Sequence, residues 1–213
     1  SNPKLPVFIE ETGGIVVPDN SKISASVPFY GGPLTCIAGV SWTYVGKMAV
    51  SVFTNNTSTA IMGSGANLFN GRIVNAQGAM QFNDGVTFTN GLSETVITPV
   101  DLLAGTIKAG KSSLETFNLN LKGGKLITES DAGVVYENIT IPSMEISGGA
   151  TIRLDSNPNA NESDKLVIKE LVGCNFSSEN PLKLELSSPI PSTGNRRTYE
   201  VLEFPKGTRQ LYS

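Results

Sequence analysis

The chain has 213 residues, 16% of them charged, with 22 glycines and a formal net charge of −3. Charge this sparse, against roughly 25% in an average soluble domain, suits strands and tight turns rather than helices; it also leaves no basic cluster to neutralise a phosphate backbone, so nucleic acid is not an expected partner. The longest apolar runs, such as Ile15-Val16-Val17, fall far short of the roughly 20 residues of a membrane-spanning helix, and no membrane insertion is expected.

The chain opens on Ser1-Asn2-Pro3 with no initiator Met, which reads as a piece of a longer polypeptide in which Ser1-Asn2 fits an expression scar. Residues 1–50 carry much of the Pro and the large aromatics Tyr30, Trp42 and Tyr44, and are expected to form an N-terminal cap or the end of a preceding module. Within them Gly13-Gly14 and Gly31-Gly32-Pro33 mark turns. Val40, Trp42 and Tyr44 alternate with Ser41, Thr43 and Val45, so a strand presents the three on one face. If that face is exposed, Trp42 and Tyr44 form a ligand-binding platform for the apolar faces of sugar rings. If it is internal, the same pair closes a core, as aromatics this large usually do.

From residue 51 to 213 a short unit recurs: Gly, a small or polar residue, an apolar residue, then alternation. It appears as Gly71-Arg72-Ile73-Val74, Gly85-Val86-Thr87-Phe88, Gly105-Thr106-Ile107-Lys108, Gly124-Lys125-Leu126-Ile127 and Gly149-Ala150-Thr151-Ile152. The last four glycines are 20, 19 and 25 residues apart. A loose period of this length, with short strands, predicts a parallel β-helix, in which no turn of chain buries its inner face without its neighbours. Short strands at such intervals also suit a β-sandwich, which is the alternative.

Further strands are predicted at Phe117, Leu119 and Leu121 and at Leu182, Leu184 and Leu186, with turns at Asn83-Asp84-Gly85, Asn90-Gly91, Gly123-Gly124 and Gly148-Gly149. Ser163 to Val172 carries a helical spacing, but Lys165-Leu166-Val167-Ile168 reads as a strand.

The C-terminal half contains Gly148-Gly149-Ala150-Thr151-Ile152-Arg153-Leu154-Asp155, then Ser163-Asp164-Lys165-Leu166-Val167-Ile168, then Pro181-Leu182-Lys183-Leu184-Glu185-Leu186 and Tyr199-Glu200-Val201-Leu202-Glu203-Phe204. Together with Ala66-Asn67-Leu68-Phe69-Asn70-Gly71-Arg72-Ile73, this order resembles autotransporter passenger domains and autotransporter-associated β-strand repeat proteins over about residues 50 to 205. The resemblance implies a right-handed parallel β-helix displayed outside a bacterial cell as a stalk or adhesive surface. Its expected partners are glycans or a host surface, and it implies no conserved active site.

The chain contains no histidine, which removes Ser-His-Asp and Cys-His catalysis and every His-based metal site. No phosphate-binding or dinucleotide fingerprint is present, and no cofactor is expected. A pair of carboxylates would suffice for glycan cleavage. Asp84, Asp101, Asp131, Asp155 and Asp164 are the candidates, though each lies where Asp also shapes a turn. The stretch Asp155 to Asp164 alternates oxygen-bearing side chains in the manner of a calcium loop, but Ala160 and Leu166 stand where an EF-hand needs Gly and Glu, so a solvated loop is expected. Asn55, Asn56, Asn138, Asn161 and Asn175 begin Asn-x-Ser/Thr sequons, common by chance in so polar a chain. Cys36 and Cys174 lie 138 positions apart and are read as buried thiols, with a disulfide as the alternative. A non-catalytic structural or adhesive module is expected. The alternatives are a carbohydrate-binding accessory module and a β-helix lyase or hydrolase.

Overall fold

The computed structural model describes residues 5–17, 26–37, 41–56, 59–128, 136–157, 162–188 and 200–206. The fold is all-β. Three sheets carry it, and in each of them every strand runs parallel to its neighbours. The largest holds, in spatial order, Ile15–Val17, Leu34–Cys36, Phe53–Asn55, Ile73–Asn75, Thr98–Leu102, Phe117–Leu121, Asn138–Ser147, Lys165–Asn175 and Leu202–Glu203. The seven-stranded sheet runs from Ser41–Tyr44 through Thr59–Met62, Ala79–Phe82, Thr106–Ala109, Lys125–Thr128 and Thr151–Leu154 to Lys183–Leu186. The four-stranded sheet holds Val7–Ile9, Phe29–Gly31, Lys47–Val50 and Asn67–Leu68.

Spatial order follows chain order in all three, so the chain visits the sheets in turn and each visit adds one strand beside the last. A β-sandwich pairs neighbours antiparallel; here antiparallel pairing is confined, among the described residues, to Ser156–Asn157 with Glu162–Ser163 and to a Thr89–Thr95 bridge. Across residue 50, Leu34–Cys36 pairs directly with Phe53–Asn55.

Alternation along each strand sends one set of side chains inward. In the nine-stranded sheet Leu34, Phe53, Ile73, Val100, Leu119 and Met144 lie in register and are fully buried. Facing them, Trp42, Ala60, Met80, Ile107, Leu126 and Ile152 form a column of the seven-stranded sheet. A second column holds Cys36, Asn55, Asn75, Leu102, Leu121, Ile146 and Cys174. The two cysteines thus stand six strands apart, about 29 Å at the usual strand spacing, far beyond disulfide reach. Both are free. Burial pushes the Cys36 thiol up to about 12.

Asn55 and Asn75 are wholly buried in that column. The Asn55 amide donates to the Asn75 side chain at 2.8 Å and to the carbonyls of Gln77 and Ala79 at 3.1 Å. Asn75 donates to the carbonyls of Ala104 and Thr106 at 2.9 and 3.2 Å. These carbonyls belong to the turns into the seven-stranded sheet, and the ladder gives them partners inside the stack.

The repeated Gly motif is not one structural unit. Gly105, Gly124 and Gly149 lie in left-handed turns that lead into the seven-stranded sheet. A Cβ on Gly105 would sit 2.0 Å from the Gly78 carbonyl oxygen, because the turns stack directly on one another. Gly71 instead precedes a strand of the nine-stranded sheet, and Gly85 leads to Thr87, which bridges to Asn67 beside the four-stranded sheet. The segment Ser163 to Val172 is extended, and its strand continues to Asn175, past the four residues that the sequence pattern marks. A bulge between Met144 and Glu145 lets it follow Asn138–Ser147 along almost its whole length.

Candidate functional site

Trp42 and Tyr44 both point inward. Trp42 is 5% exposed and Tyr44 fully buried, so they are not available as a surface platform. Their rings, 5.0 Å apart, pack with Phe29 and Phe53 into one aromatic cluster. Tyr44 spends its hydroxyl on the carbonyls of Val27 and Lys47, at 3.0 and 2.5 Å. Burial, with Tyr30 adding, raises its pKa. The Trp42 indole N–H has no partner among the described residues. The physical reason for the inward parity is volume: Trp42 lies beside Ala60 in the column, and a small neighbour leaves room for the indole.

The candidate acids do not converge on one cleft. Asp84 is exposed, and Asp131 lies outside the described residues. Asp101, 3% exposed, accepts from the Arg72 guanidinium at 2.5 Å and from Asn120 at 2.7 Å. Asp155 and Asp164 do come together, around Thr128. The Thr128 hydroxyl donates to Asp164 at 2.5 Å and accepts from the Asp155 N–H at 3.2 Å. Ser187 donates to Asp155 at 2.5 Å, and the Glu137 N–H donates to Asp164 at 3.1 Å.

Burial raises the Asp164 pKa and the Asp155 charge adds to it, while the hydrogen bonds from Thr128, Glu137 and Asp155 oppose the shift. The two carboxylates are therefore tied to hydroxyls and backbone that close the base of the 155–164 stretch, whose residues 158–161 lie outside the described set. Among the described residues no group of three or more His, Cys, Asp or Glu is placed to hold a metal ion.

A groove of about 400 Å³ lies instead against the four-stranded sheet. Its floor is the sheet's outward face. Phe8, Tyr30 and Ala49 are in register, and Phe69 follows the strand paired to Lys47–Val50, its N–H donating to the Met48 carbonyl at 2.7 Å. Phe8 is 75% and Phe69 45% exposed, the two exposed aromatic rings among the described residues. Phe8 stacks on Tyr30 with ring centroids 5.5 Å apart.

Polar groups border these rings. The Asn67 amide donates to the Thr89 hydroxyl at 2.9 Å and its carbonyl accepts from the Thr89 N–H at 3.3 Å. Lys47, in register with Asn67, is exposed at the rim. The far wall is a short loop closed by the Asn90 side chain, which accepts from the N–H groups of Leu92 and Glu94 at 2.9 and 3.0 Å and donates to the Glu94 carboxylate at 2.8 Å. Ser93 in this loop has φ 61°, the one non-glycine residue at positive φ among the described residues, a conformation that costs on the order of 1 kcal/mol or more.

The sequence held one signal for this groove: Asn90-Gly91 marks the loop. Strand parity cannot be assigned for strands of two or three residues, and the larger Trp42–Tyr44 pair draws attention away from them. No family model, curated protein or solved structure matches the chain.

Proposed function

We propose that this chain is a right-handed parallel β-solenoid serving as a non-catalytic adhesive module of a bacterial cell-surface or secreted protein, part of a larger polypeptide, and that it holds glycans through the groove beside the four-stranded sheet. The observation that carries this reading is where the aromatic rings go. Most are sealed in the stack, whereas Phe8, Tyr30 and Phe69 lie on the outer face, and Tyr30 and Phe69 line the groove with Asn67, Thr89 and Lys47. Exposed rings bordered by amides and hydroxyls suit sugars, whose ring faces are apolar and whose edges are polar. The in-register core columns supply a stiff support, and the quoted resemblance to passenger domains supports display outside the cell.

A lyase or hydrolase on the same scaffold needs acids within one groove. Among the described residues no carboxylate lines this one, and Asp101, Asp155 and Asp164 are held in hydrogen bonds elsewhere. The test is a glycan array probed with the wild-type chain and with Phe69→Ala and Tyr30→Ala. Specific binding lost in both variants, at unchanged thermal stability, supports the reading. Binding that survives both, or no binding to any glycan, overturns it.

A further inference from the structure

We infer that the groove selects a pyranose bearing a carboxylate, inserted over Ala49 between Tyr30 and Phe69 with its carboxylate against Lys47; the inference rests on the adhesive reading above and names its ligand class. Tyr30 and Ala49 are in register on neighbouring strands, and Phe69, directly after the strand Asn67–Leu68, continues that outward row. Two strand spacings separate the outer pair by about 9.5 Å. A flat ring touching aromatic carbons on both sides at about 4 Å needs about 8 Å. Ala49 is the small residue that leaves this slot open; a larger side chain there would fill it.

The charge of the slot decides the class of sugar. Among the described residues Lys47 is the one charged residue lining it, and it makes no ion pair with another of them. Glu94, the carboxylate next along the loop, is tied to the Asn90 amide. A cation facing no carboxylate in a partly enclosed groove is complementary to an anion. The remaining donors suit the other sugar edge. The Thr89 hydroxyl accepts from Asn67 and so has its own hydrogen to give. The Asn90 turn and the Ser93 backbone fix the wall before any ligand arrives, which lowers the cost of ordering on binding.

Carboxylated pyranoses come as sialic or as uronic acids. Calorimetric titration with sialyllactose and with a glucuronate tetrasaccharide therefore forms the two test arms, against lactose and the carboxyl-reduced tetrasaccharide as neutral controls. The expected result is that at least one acidic ligand binds about tenfold tighter than its neutral counterpart, and the arm that does so names the source. Lys47→Gln should remove this preference and keep the weak neutral binding, whereas Phe69→Ala should remove both. Equal binding of acidic and neutral ligands, lost in Phe69→Ala, overturns the carboxylate inference and leaves the adhesive reading standing. Absence of binding in every arm and across the glycan array overturns both.

Discussion

The chain builds its two ends differently. Up to Leu68 it visits three sheets, with strands of two to four residues, while from Thr98 the described strands of the large sheets alternate between two. The change falls where the Phe88–Thr98 segment leaves the stack to wall the groove. Beyond it a helical turn, Lys111–Leu114, follows one strand of the seven-stranded sheet, and the strands Asn138–Ser147 and Lys165–Asn175 lengthen to 10 and 11 residues.

The cores differ as well. One column carries Asn55 and Asn75 in the first region and Leu102, Leu121 and Ile146 in the second. Outward positions in the second region carry charge, with Lys125 on Glu185 at 2.5 Å and Lys165 on Glu203 at 2.7 Å. The first region instead turns Phe8, Tyr30 and Phe69 outward. Exposed ion pairs contribute little stability, so the second region relies on aliphatic packing, whereas the first combines packing with internal hydrogen bonds and leaves aromatic side chains on its outer face.

Exchanging the two solutions tests this difference. Placing the polar solution in the aliphatic region should cost most: Leu121→Asn removes a fully buried side chain and strands an amide there, a loss of about 3–5 kcal/mol measurable by denaturant unfolding. A loss under about 1 kcal/mol would mean that the column accepts asparagine anywhere and that its placement is accidental.

Next comes a turn of the second region that stacks on one of the first. Gly105→Ala would force a Cβ against the Gly78 carbonyl at φ +71°, and a loss of about 2–3 kcal/mol is expected, read as a lowered unfolding midpoint. The reverse exchange, Asn75→Leu, conserves size but removes the donor to the Ala104 and Thr106 carbonyls and the acceptor of the Asn55 amide. It should cost about 1–3 kcal/mol. A variant as stable as wild type would show that the ladder is tolerated rather than stabilising.

These elements were unequally legible in the sequence. Period-two patterning and turn glycines pointed to an all-β chain, and Leu119 and Leu126 face inward as their alternation implies. The asparagine ladder was hidden, because Asn55 and Asn75 resemble the loop and sequon asparagines around them and only register shows that they stack. The motif spacing of 20 between Gly85 and Gly105 joined two glycines that serve different sheets. Trp42 lies in register with the small Ala60 one strand away and Tyr44 with Met62, contacts that no local window contains. The groove depends on three strands and a loop, so its residues are scattered from Tyr30 to Ser93.

The smallest effect concerns how each region treats a buried acid. Asp101 has the Arg72 guanidinium for company, whereas Asp164 is held by Thr128 and backbone N–H groups, with Asp155 adding like charge. The Asp164 pKa lies above its ordinary 3.8 in the folded chain. As pH rises past 3.8 the unfolded chain therefore releases this proton first, and folding stability falls until the folded group has ionised too. The contribution is fully present below pH 3.8 and lost as pH passes the raised value. Asp164→Asn cannot titrate, so its stability relative to wild type should improve between pH 3.5 and 7, as followed by urea unfolding at each pH. A difference that stays flat across that range would show that burial does not hold the proton on Asp164 and that the Thr128 and backbone donors carry its negative charge without cost.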